Sequence, residues 1–345
     1  MRVVTARKRD VAPGVLPGAD LLADARSLAS RFPEARLRPC SLARLVEADT
    51  RAHARVWVAL ESLQVTGSFK VRGALLALSR LAASGTESVV AASAGNHGAG
   101  VAYAANVLDI NATIVVPRTA PEAKRARIES QGAKLVVADV DGYDAAEREG
   151  MALAEKTGTP FVSPYDDVTV VAGNGGSLGA EIEAALGRTP ATVIAPFGGG
   201  GLATGLACAL PTARVWGAQS EASPAFAMSL DKDAAIETLD AATTLADGLE
   251  GGISKTAFER ARAVVAGVAV VSESQIGAAM AAAYRSLGVT IEGSAAAALA
   301  PLLDELPAEM RPTSSDADLV VVLTGRNVDR PRLEAVLEAN KTTLW

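Results

Sequence analysis

At residues 192–210 the sequence is TVIAPFGGGGLATGLACAL, a short apolar run followed by four glycines and a second apolar segment. The β-branched and apolar residues of 192–197 predict a buried strand, and the segment from Leu202 onward has the composition of a helix. Four successive glycines between a strand and a helix leave several backbone N–H groups unobstructed, and such groups bind anions. The stretch therefore predicts an α/β fold with a phosphate site at a strand end.

The same glycines admit two other interpretations. A tight structural turn needs fewer than four glycines, so we favour the phosphate site. The stretch also fits Gly-x-Gly-x-x-Ala with Glu221 about 20 residues further on, which is the pattern of a dinucleotide site. An oxidoreductase built on that pattern would leave the two loops described below without a function.

Short β-branched runs alternate with helix-like segments along most of the chain. The predicted strands are VWVAL from 56, SVVAAS from 88, ATIVVP from 112, KLVVAD from 134, TVIAPF from 192, RVWGAQ from 214 and LVVVLTG from 319. The predicted helices are 70–83, 97–108, 121–131, 143–157, 174–186, 201–210, 255–265, 274–287 and 293–304. This alternation predicts parallel sheets flanked by helices, with ligands bound beyond the carboxyl ends of the strands.

A lysine stands where the first of these helices begins, at the end of TGSFK, residues 66–70. The positive end of the helix macrodipole disfavours a cation at that position. Lys70 is therefore either a solvated surface residue or an amine that works neutral or as an imine.

A second strand-to-helix loop is SAGNHG, residues 93–98. Its glycines let the backbone approach a ligand closely, and the amides of the helix start can hold a carboxylate together with Ser93. Asn96 can both donate and accept hydrogen bonds, so it can orient a ring substituent. His97 is one of only two histidines, and a structural role is favoured over that of a general base. A further hydroxyl, Thr324, ends the last predicted strand in TGRN.

Taken in order, GSFKVRGA at 67–74, SAGNHG at 93–98 and GGGG at 198–201 resemble fold-type II pyridoxal 5'-phosphate (PLP) enzymes, the tryptophan synthase β-like fold class. The specific resemblance is to the threonine dehydratase and serine racemase branch. It implies two parallel-sheet domains with helices on both faces. The large PLP-binding domain would comprise 38–84 and 166–345, the smaller mobile domain 85–165, and residues 1–37 would be an N-terminal extension.

The resemblance also implies roles for individual residues. Lys70 would hold PLP as a Schiff base with Phe69 packed near the ring, and Asn96 would bind the 3'-oxygen of the cofactor. The phosphate would be bound by Gly198, Gly199, Gly200, Gly201 and Leu202, and the substrate by Ser93, Ala94, Gly95, Asn96 and His97. Thr324 would face the pyridine nitrogen, and such a neutral partner suits elimination better than transamination.

The implied activity is that of an ammonia-lyase. It is the PLP-dependent α,β-elimination of a β-hydroxy amino acid such as L-threonine or L-serine, which gives a 2-oxo acid and ammonia. One alternative is β-replacement of the cysteine synthase type, although those enzymes differ in the loop at 93–98. Another is a catalytically retired PLP-binding protein.

Several positions depart from the pattern of the branch. Serine racemases carry a second serine where this chain has Ala94, so a racemase would lack its second base. Relatives that bind a divalent cation use a glutamate and an aspartate where this chain has Gln219 and Ala225, so we predict no metal site. Asp247 and Gly248 resemble a segment that faces the cofactor. Arg326 replaces the usual glycine, and it is either a surface charge or a contact to an unusual substrate.

Composition sets limits on the partners. The formal charge of −6 is spread along 345 residues, which favours a small amino acid as ligand over nucleic acid or an anionic membrane. Neither a secretory signal nor an apolar run of membrane-spanning length is present, and Cys40 and Cys208 show no metal-ligand spacing. We therefore expect a cytoplasmic enzyme, with a homodimer implied by the resemblance.

Overall fold

The computed structural model describes residues 1–12, 14–239 and 242–345. Its strands are β1 (Arg2–Thr5), β2 (Leu42–Arg44), β3 (Arg55–Ala59), β4 (Ser88–Ala92), β5 (Asn111–Pro117), β6 (Lys134–Ala138), β7 (Thr192–Pro196), β8 (Arg214–Ser220), β9 (Gly267–Val271) and β10 (Asp318–Val322). Its helices are α1 (Ala19–Arg26), α2 (Leu28–Arg31), α3 (Asp49–Ala52), α4 (Lys70–Ala83), α5 (Asn96–Val107), α6 (Glu122–Glu129), α7 (Tyr143–Thr157), α8 (Val168–Val171), α9 (Ser177–Leu186), α10 (Gly201–Ala209), α11 (Ala225–Lys232), α12 (Lys255–Val264), α13 (Glu273–Ser286), α14 (Gly293–Leu299) and α15 (Arg330–Ala339).

The strands form two sheets. The larger has the order β1-β9-β8-β7-β10-β3-β2, and the smaller has the order β4-β5-β6. Every pairing is parallel except those of the two edge strands, β1 with β9 and β2 with β3. The predicted α/β fold with parallel sheets is thus confirmed, and antiparallel strands border only the larger sheet.

The larger sheet separates two hydrophobic cores. Successive residues of a strand point to opposite faces, so Ile194 and Val321 lie in one core while Val193 and Val320 lie in the other. Helices α13 and α14 cover the first face, and α10 and α12 cover the second. Because both faces are covered, β7 and β10 are buried along their whole length. No helix within the described residues is long and apolar enough to cross a membrane.

A π-helical turn, Ala172–Gly176, joins α8 to α9 and packs against α10. A Cβ on Gly175 would collide with the backbone of Leu202 and Leu206 in that helix. Because backbone cannot move aside as a side chain can, glycine is required here for close packing. α10 follows the glycine loop, so this contact helps to position that loop.

We expect Gly175→Ala to lower the free energy of unfolding by about 1–3 kcal/mol, the usual effect of overpacking a core. Chemical denaturation measures the change. The matched control is Gly18→Ala, because a Cβ at Gly18 meets nothing within 4 Å. Its cost should stay below about 1 kcal/mol. Equal costs for the two variants would contradict the packing argument.

Candidate active site

A cavity of 350 Å³ brings the predicted loops together. Its lining includes every residue predicted for the site, namely Phe69, Lys70, Ser93, Ala94, Gly95, Asn96, His97, Gly198, Gly199, Gly200, Gly201, Leu202 and Thr324, together with Asp247 and Gly248. Arg326 is exposed and lies outside that lining, which favours the interpretation as a surface charge. The cavity therefore joins the ends of β4, β7 and β10 to the start of α4.

Lys70 is placed by the pairing of its own loop with the end of β10. Ser68 forms a β-bridge with Gly325, and the Phe69 N–H donates to the Thr324 carbonyl oxygen at 3.0 Å. α4 then begins at Lys70, whose amine lies 5.3 Å from the centre of the Phe69 ring. Enclosure lowers the pKa of Lys70 to about 8, although the nearby Glu292 carboxylate opposes the shift. Lys70 is thus an enclosed amine, partly neutral near neutral pH, rather than a solvated surface lysine.

Asn96 is held by a buried polar cluster that the sequence did not predict. Its Nδ2 donates to Glu292 Oε1 at 2.7 Å, and its Oδ1 accepts from Asn327 Nδ2 at 2.6 Å. The Asn327 N–H donates to Glu292 Oε2 at 3.2 Å, which closes the cluster. A Cβ on Gly325 would collide with the Glu292 carboxylate, so a larger residue there would displace that carboxylate. These contacts fix the Asn96 amide and leave its second Nδ2 hydrogen available to a ligand.

Glu292 connects this cluster to Lys70 electrostatically. Burial is the main cause that raises the pKa of Glu292 to about 7, and the Asp247 charge adds to the shift. Glu292 precedes the apolar helix α14, GSAAAAL, and a carboxylate next to a buried helix was the available sequence signal. When ionised, Glu292 favours the ammonium form of Lys70.

Glu292→Gln is therefore expected to lower the pKa of Lys70 further, because the attraction that stabilises the ammonium is lost. The neutral amine attacks PLP, so the pH dependence of Schiff-base formation should shift to lower pH. The measurement is the rate at which the Schiff-base absorbance increases after PLP is added to cofactor-free enzyme, repeated across a pH series. Glu250→Gln is the control, since Glu250 lines the same cavity, whereas Glu292 is the carboxylate that raises the pKa of Lys70. An unchanged midpoint in Glu292→Gln would contradict this account.

His97 is a neutral and largely structural side chain in this geometry. Burial lowers its pKa to about 3, so the ring carries one proton. Its Nε2 lies 2.9 Å from the Val162 carbonyl oxygen, which only accepts, so Nε2 bears that proton and donates it. Nδ1 is buried without a hydrogen-bond partner among the described residues. The contact favours the structural interpretation, while contact with substrate stays a prediction.

The glycine loop is shaped to expose backbone. A Cβ on Gly199 would lie 2.5 Å from Tyr165 Cγ, and one on Gly200 would lie 2.7 Å from Phe197 Cζ. Gly200 also has a φ of +81°, a conformation that other residues rarely adopt. α10 begins at Gly201, so its unpaired first amides point out of the helix beside the cavity. The loop therefore suits an anion such as a phosphate.

Further cavity residues come from parts of the chain without a recognised motif. Lys124 of α6 forms an ion pair with Asp247 at 2.9 Å, and Ser294 Oγ accepts from the Gly248 N–H at 3.0 Å. Tyr143 and Tyr165 also line the cavity. No group of three or more side chains that could hold a metal occurs within 1–12, 14–239 and 242–345, and the absence of a metal site stays a prediction.

Comparison with known proteins assigns the family. The model of the family described as "Pyridoxal-phosphate dependent enzyme" matches residues 36–325. The chain belongs to this family of PLP-dependent enzymes. It is 34% identical over 290 residues to the L-threonine ammonia-lyase of Thermotoga maritima. The matched region covers 82% of this chain and 69% of that protein.

Solved structures of PLP-dependent enzymes also resemble the chain. The processed form of threonine deaminase isoform 2 from Solanum lycopersicum gives a TM-score of 0.82 at 26% identity, covering 98% of this chain and 91% of that one. Maize serine racemase gives a TM-score of 0.81 at 27% sequence identity, and the match covers 93% of this chain and 97% of that one. The recognised branch is thereby confirmed.

The residues present fit the family's cofactor. The enclosed Lys70 amine can form an imine with an aldehyde, and the glycine loop can take a phosphate without side-chain obstruction. Asn96 offers an amide hydrogen, and Thr324 offers a hydroxyl at the end of β10. One cavity supplies all four, so PLP is the cofactor that this site accommodates.

Proposed function

We propose that this enzyme dehydrates a β-hydroxy amino acid such as L-serine or L-threonine and that the product is then deaminated by hydrolysis, so that the net products are a 2-oxo acid and ammonia. The observation that carries the proposal is that Lys70 lines the same cavity as residues 93–97 at the start of α5, where backbone amides can bind a carboxylate. The names of the relatives, L-threonine ammonia-lyase and threonine deaminase, support it.

The side chains divide the work of the reaction. PLP, when bound, supplies the electron sink that makes the α-proton acidic. Ser93 and the amides at the start of α5 bind the substrate carboxylate and thereby fix the position of Cα in the cavity. Lys70, whose pKa is about 8, is the base that takes the α-proton at its Nζ. The β-hydroxyl then takes up one proton and leaves as water, and the resulting enamine consumes one water as it hydrolyses to the 2-oxo acid and ammonia.

Two observations argue against the alternatives. Ala94 lines the cavity with a methyl group, so it offers no acid or base for racemisation. Arg326 lies outside the lining, so it does not block the cavity, and the proposal of a retired site loses its basis. The loop 93–98 favours elimination over β-replacement.

The experiment is a coupled assay of 2-oxo acid and ammonia from L-serine, L-threonine, L-threo-3-hydroxyaspartate and a 3-aryl-serine. Equal amounts of both products from at least one substrate are the expected result. Schiff-base absorbance without either product from any of them would overturn the proposal. Absence of a Schiff base that borohydride reduces would remove the cofactor assignment for this chain.

We further propose a homodimer that works in the cytoplasm, with residues 38–84 and 166–345 as the large domain and 85–165 as the mobile one. The larger sheet and the β4-β5-β6 sheet fall in these two parts, and β1 adds a strand from the extension 1–37. Light scattering would test the dimer, and fractionation of the source cells would test the location. Proteolysis with and without substrate would test the domain division through altered protection of 85–165.

A further inference from the structure

Two tyrosines on one wall of the cavity share a carboxylate. Tyr143 Oη donates to Glu147 Oε1 at 2.8 Å, and Tyr165 Oη donates to Glu147 Oε2 at 2.9 Å. Tyr143 and Glu147 lie on α7, whereas Tyr165 lies in the connection to α8. The elimination proposed above uses none of the three. They are therefore available to recognise the part of a substrate that lies beyond its α-carbon.

The shared carboxylate fixes the direction of both phenol hydrogens. An ionised carboxylate only accepts, and each phenol has a single hydrogen, so both hydrogens point to Glu147. Burial raises the pKa of Glu147, while the hydrogen bonds from the two phenols oppose that shift and favour its ionised form. Burial also raises the pKa of both phenols, which keeps them protonated. Each phenol oxygen consequently keeps a lone pair that can accept a hydrogen bond and has no hydrogen left to donate.

Packing holds this wall beside the cofactor loops. The Tyr165 ring lies against Gly199, because a Cβ there would be 2.5 Å from Tyr165 Cγ. Asp144, the residue after Tyr143, lies close to Gly251, because a Cβ on Gly251 would be 3.4 Å from Asp144 Oδ1. The tyrosines therefore lie between the glycine loop and the loop that follows Asp247.

The charges nearby reinforce the acceptor character of the wall. Asp247 and Glu250 line the same cavity, and the cations of Lys124 and Arg332 are already paired with Asp247. Arg127 also reaches the lining but is exposed at the rim. The interior wall is thus rich in acceptors and carboxylates.

We propose that Tyr143 and Tyr165, oriented by Glu147, form the subsite for the substrate's side chain and select side chains that donate a hydrogen bond over anionic ones. The inference rests on the proposed elimination and narrows its substrate class. Substrates whose side chain is an uncharged hydroxyl group, such as L-serine, are preferred. L-threo-3-hydroxyaspartate, whose side chain also carries a carboxylate, is disfavoured. Tyr143 and Tyr165 are specificity residues, and Glu147 is a positioning residue.

Removing either phenol tests the subsite. In Tyr143→Phe and Tyr165→Phe, kcat/KM for L-serine should fall by about three- to tenfold, mainly through KM, since one hydrogen bond to bound substrate is lost. The value for L-threo-3-hydroxyaspartate should fall less, so the preference narrows. Tyr103→Phe is the matched control, because Tyr103 Oη donates to the Ala35 carbonyl away from the cavity. It should leave the preference unchanged.

Replacing the shared carboxylate has the opposite effect on an anion. In Glu147→Gln, the amide Oε1 accepts from one phenol while Nε2 donates to the other, which frees that phenol's hydrogen for the cavity. The negative charge is lost as well. We therefore expect kcat/KM for L-threo-3-hydroxyaspartate to rise and the preference for L-serine over it to fall by about tenfold. A rise with the anionic substrate is a change that loss of folding would not produce.

A binding measurement separates this inference from the proposed function. L-asparagine and L-aspartate have nearly the same shape and differ in charge, and their dissociation constants follow from the Schiff-base absorbance of the holoenzyme on titration. Wild type should bind L-asparagine more tightly, and Glu147→Gln should reduce the difference. If no substrate is turned over but this shift appears, the elimination fails and the subsite stands. If the ratio of the dissociation constants of L-asparagine and L-aspartate is the same in wild type and in all three variants, the subsite proposal is overturned.

Discussion

Lys70→Ala is expected to lower the rate of 2-oxo acid formation by at least about a thousandfold, because the change removes both the imine-forming amine and the base. Among residues 1–12, 14–239 and 242–345, no other amine is placed to replace it. Lys124 is the other lysine of the lining, and its ammonium is paired with Asp247 at 2.9 Å. Enclosure lowers the pKa of Lys70 to about 8, which leaves part of its amine neutral near neutral pH.

Product release and the borohydride-sensitive absorbance should both be measured on Lys70→Ala. Lys124→Ala is the matched control, since it also removes an amine from the cavity and should keep the Schiff-base absorbance. A Lys70→Ala protein that keeps this absorbance would show that another residue holds the cofactor. An equal loss of absorbance in both variants would point to disruption of the cavity as a whole.

The loops that form this site could be predicted because their residues are adjacent in the chain. Glycine runs and an exposed helix start are local features, and the end of each buried strand marks where they lie. The seven predicted strands correspond to β3, β4, β5, β6, β7, β8 and β10. Except for β6, whose residues are half-buried or exposed, most residues of these strands are buried on both faces, and this makes the pattern strong.

The edge of the larger sheet was not predicted. β1 and β2 are short. β1 pairs antiparallel with β9, which is far away in the sequence, and β2 pairs antiparallel with β3 across a loop. β9, GVAVV, is a short apolar run of the kind that periodicity alone cannot separate from a helix segment. The last predicted helix, 293–304, was too long, because α14 ends at Leu299 and a 3₁₀ turn containing Pro301 follows.

Single side chains from distant segments were also missed. Glu292 and Asn327 act on Asn96 across 196 and 231 residues of sequence, so no local spacing connects them. Tyr143, Glu147 and Tyr165 form a cluster only after the helix α7 and the chain that follows it fold over the glycine loop. The sequence therefore predicts where a site lies more readily than which substrate it accepts.

Arg72 is expected to be the most important charged residue for stability, although it stands two residues after Lys70 in the motif that identifies the cofactor site. Its side chain is fully buried, and it forms paired hydrogen bonds with two carboxylates. Nε and Nη2 bind Glu61 at 2.7 and 2.9 Å, and Nη1 and Nη2 bind Glu181 at 2.8 and 2.7 Å. The cluster ties α4, and with it Lys70, to α9 and to the end of β3.

Arg72→Met should lower the free energy of unfolding by about 3–5 kcal/mol, because it leaves the buried Glu61 carboxylate without its counter-ion. Chemical denaturation measures the loss. Arg80→Met is the matched control on the same helix, since Arg80 pairs with Asp24 at the surface with 52% of its side chain exposed. That pair should be worth less than about 1 kcal/mol. If both variants lose the same small amount, the motif's arginine does not anchor α4, and the position of Lys70 depends on the pairing of Ser68 with Gly325 instead.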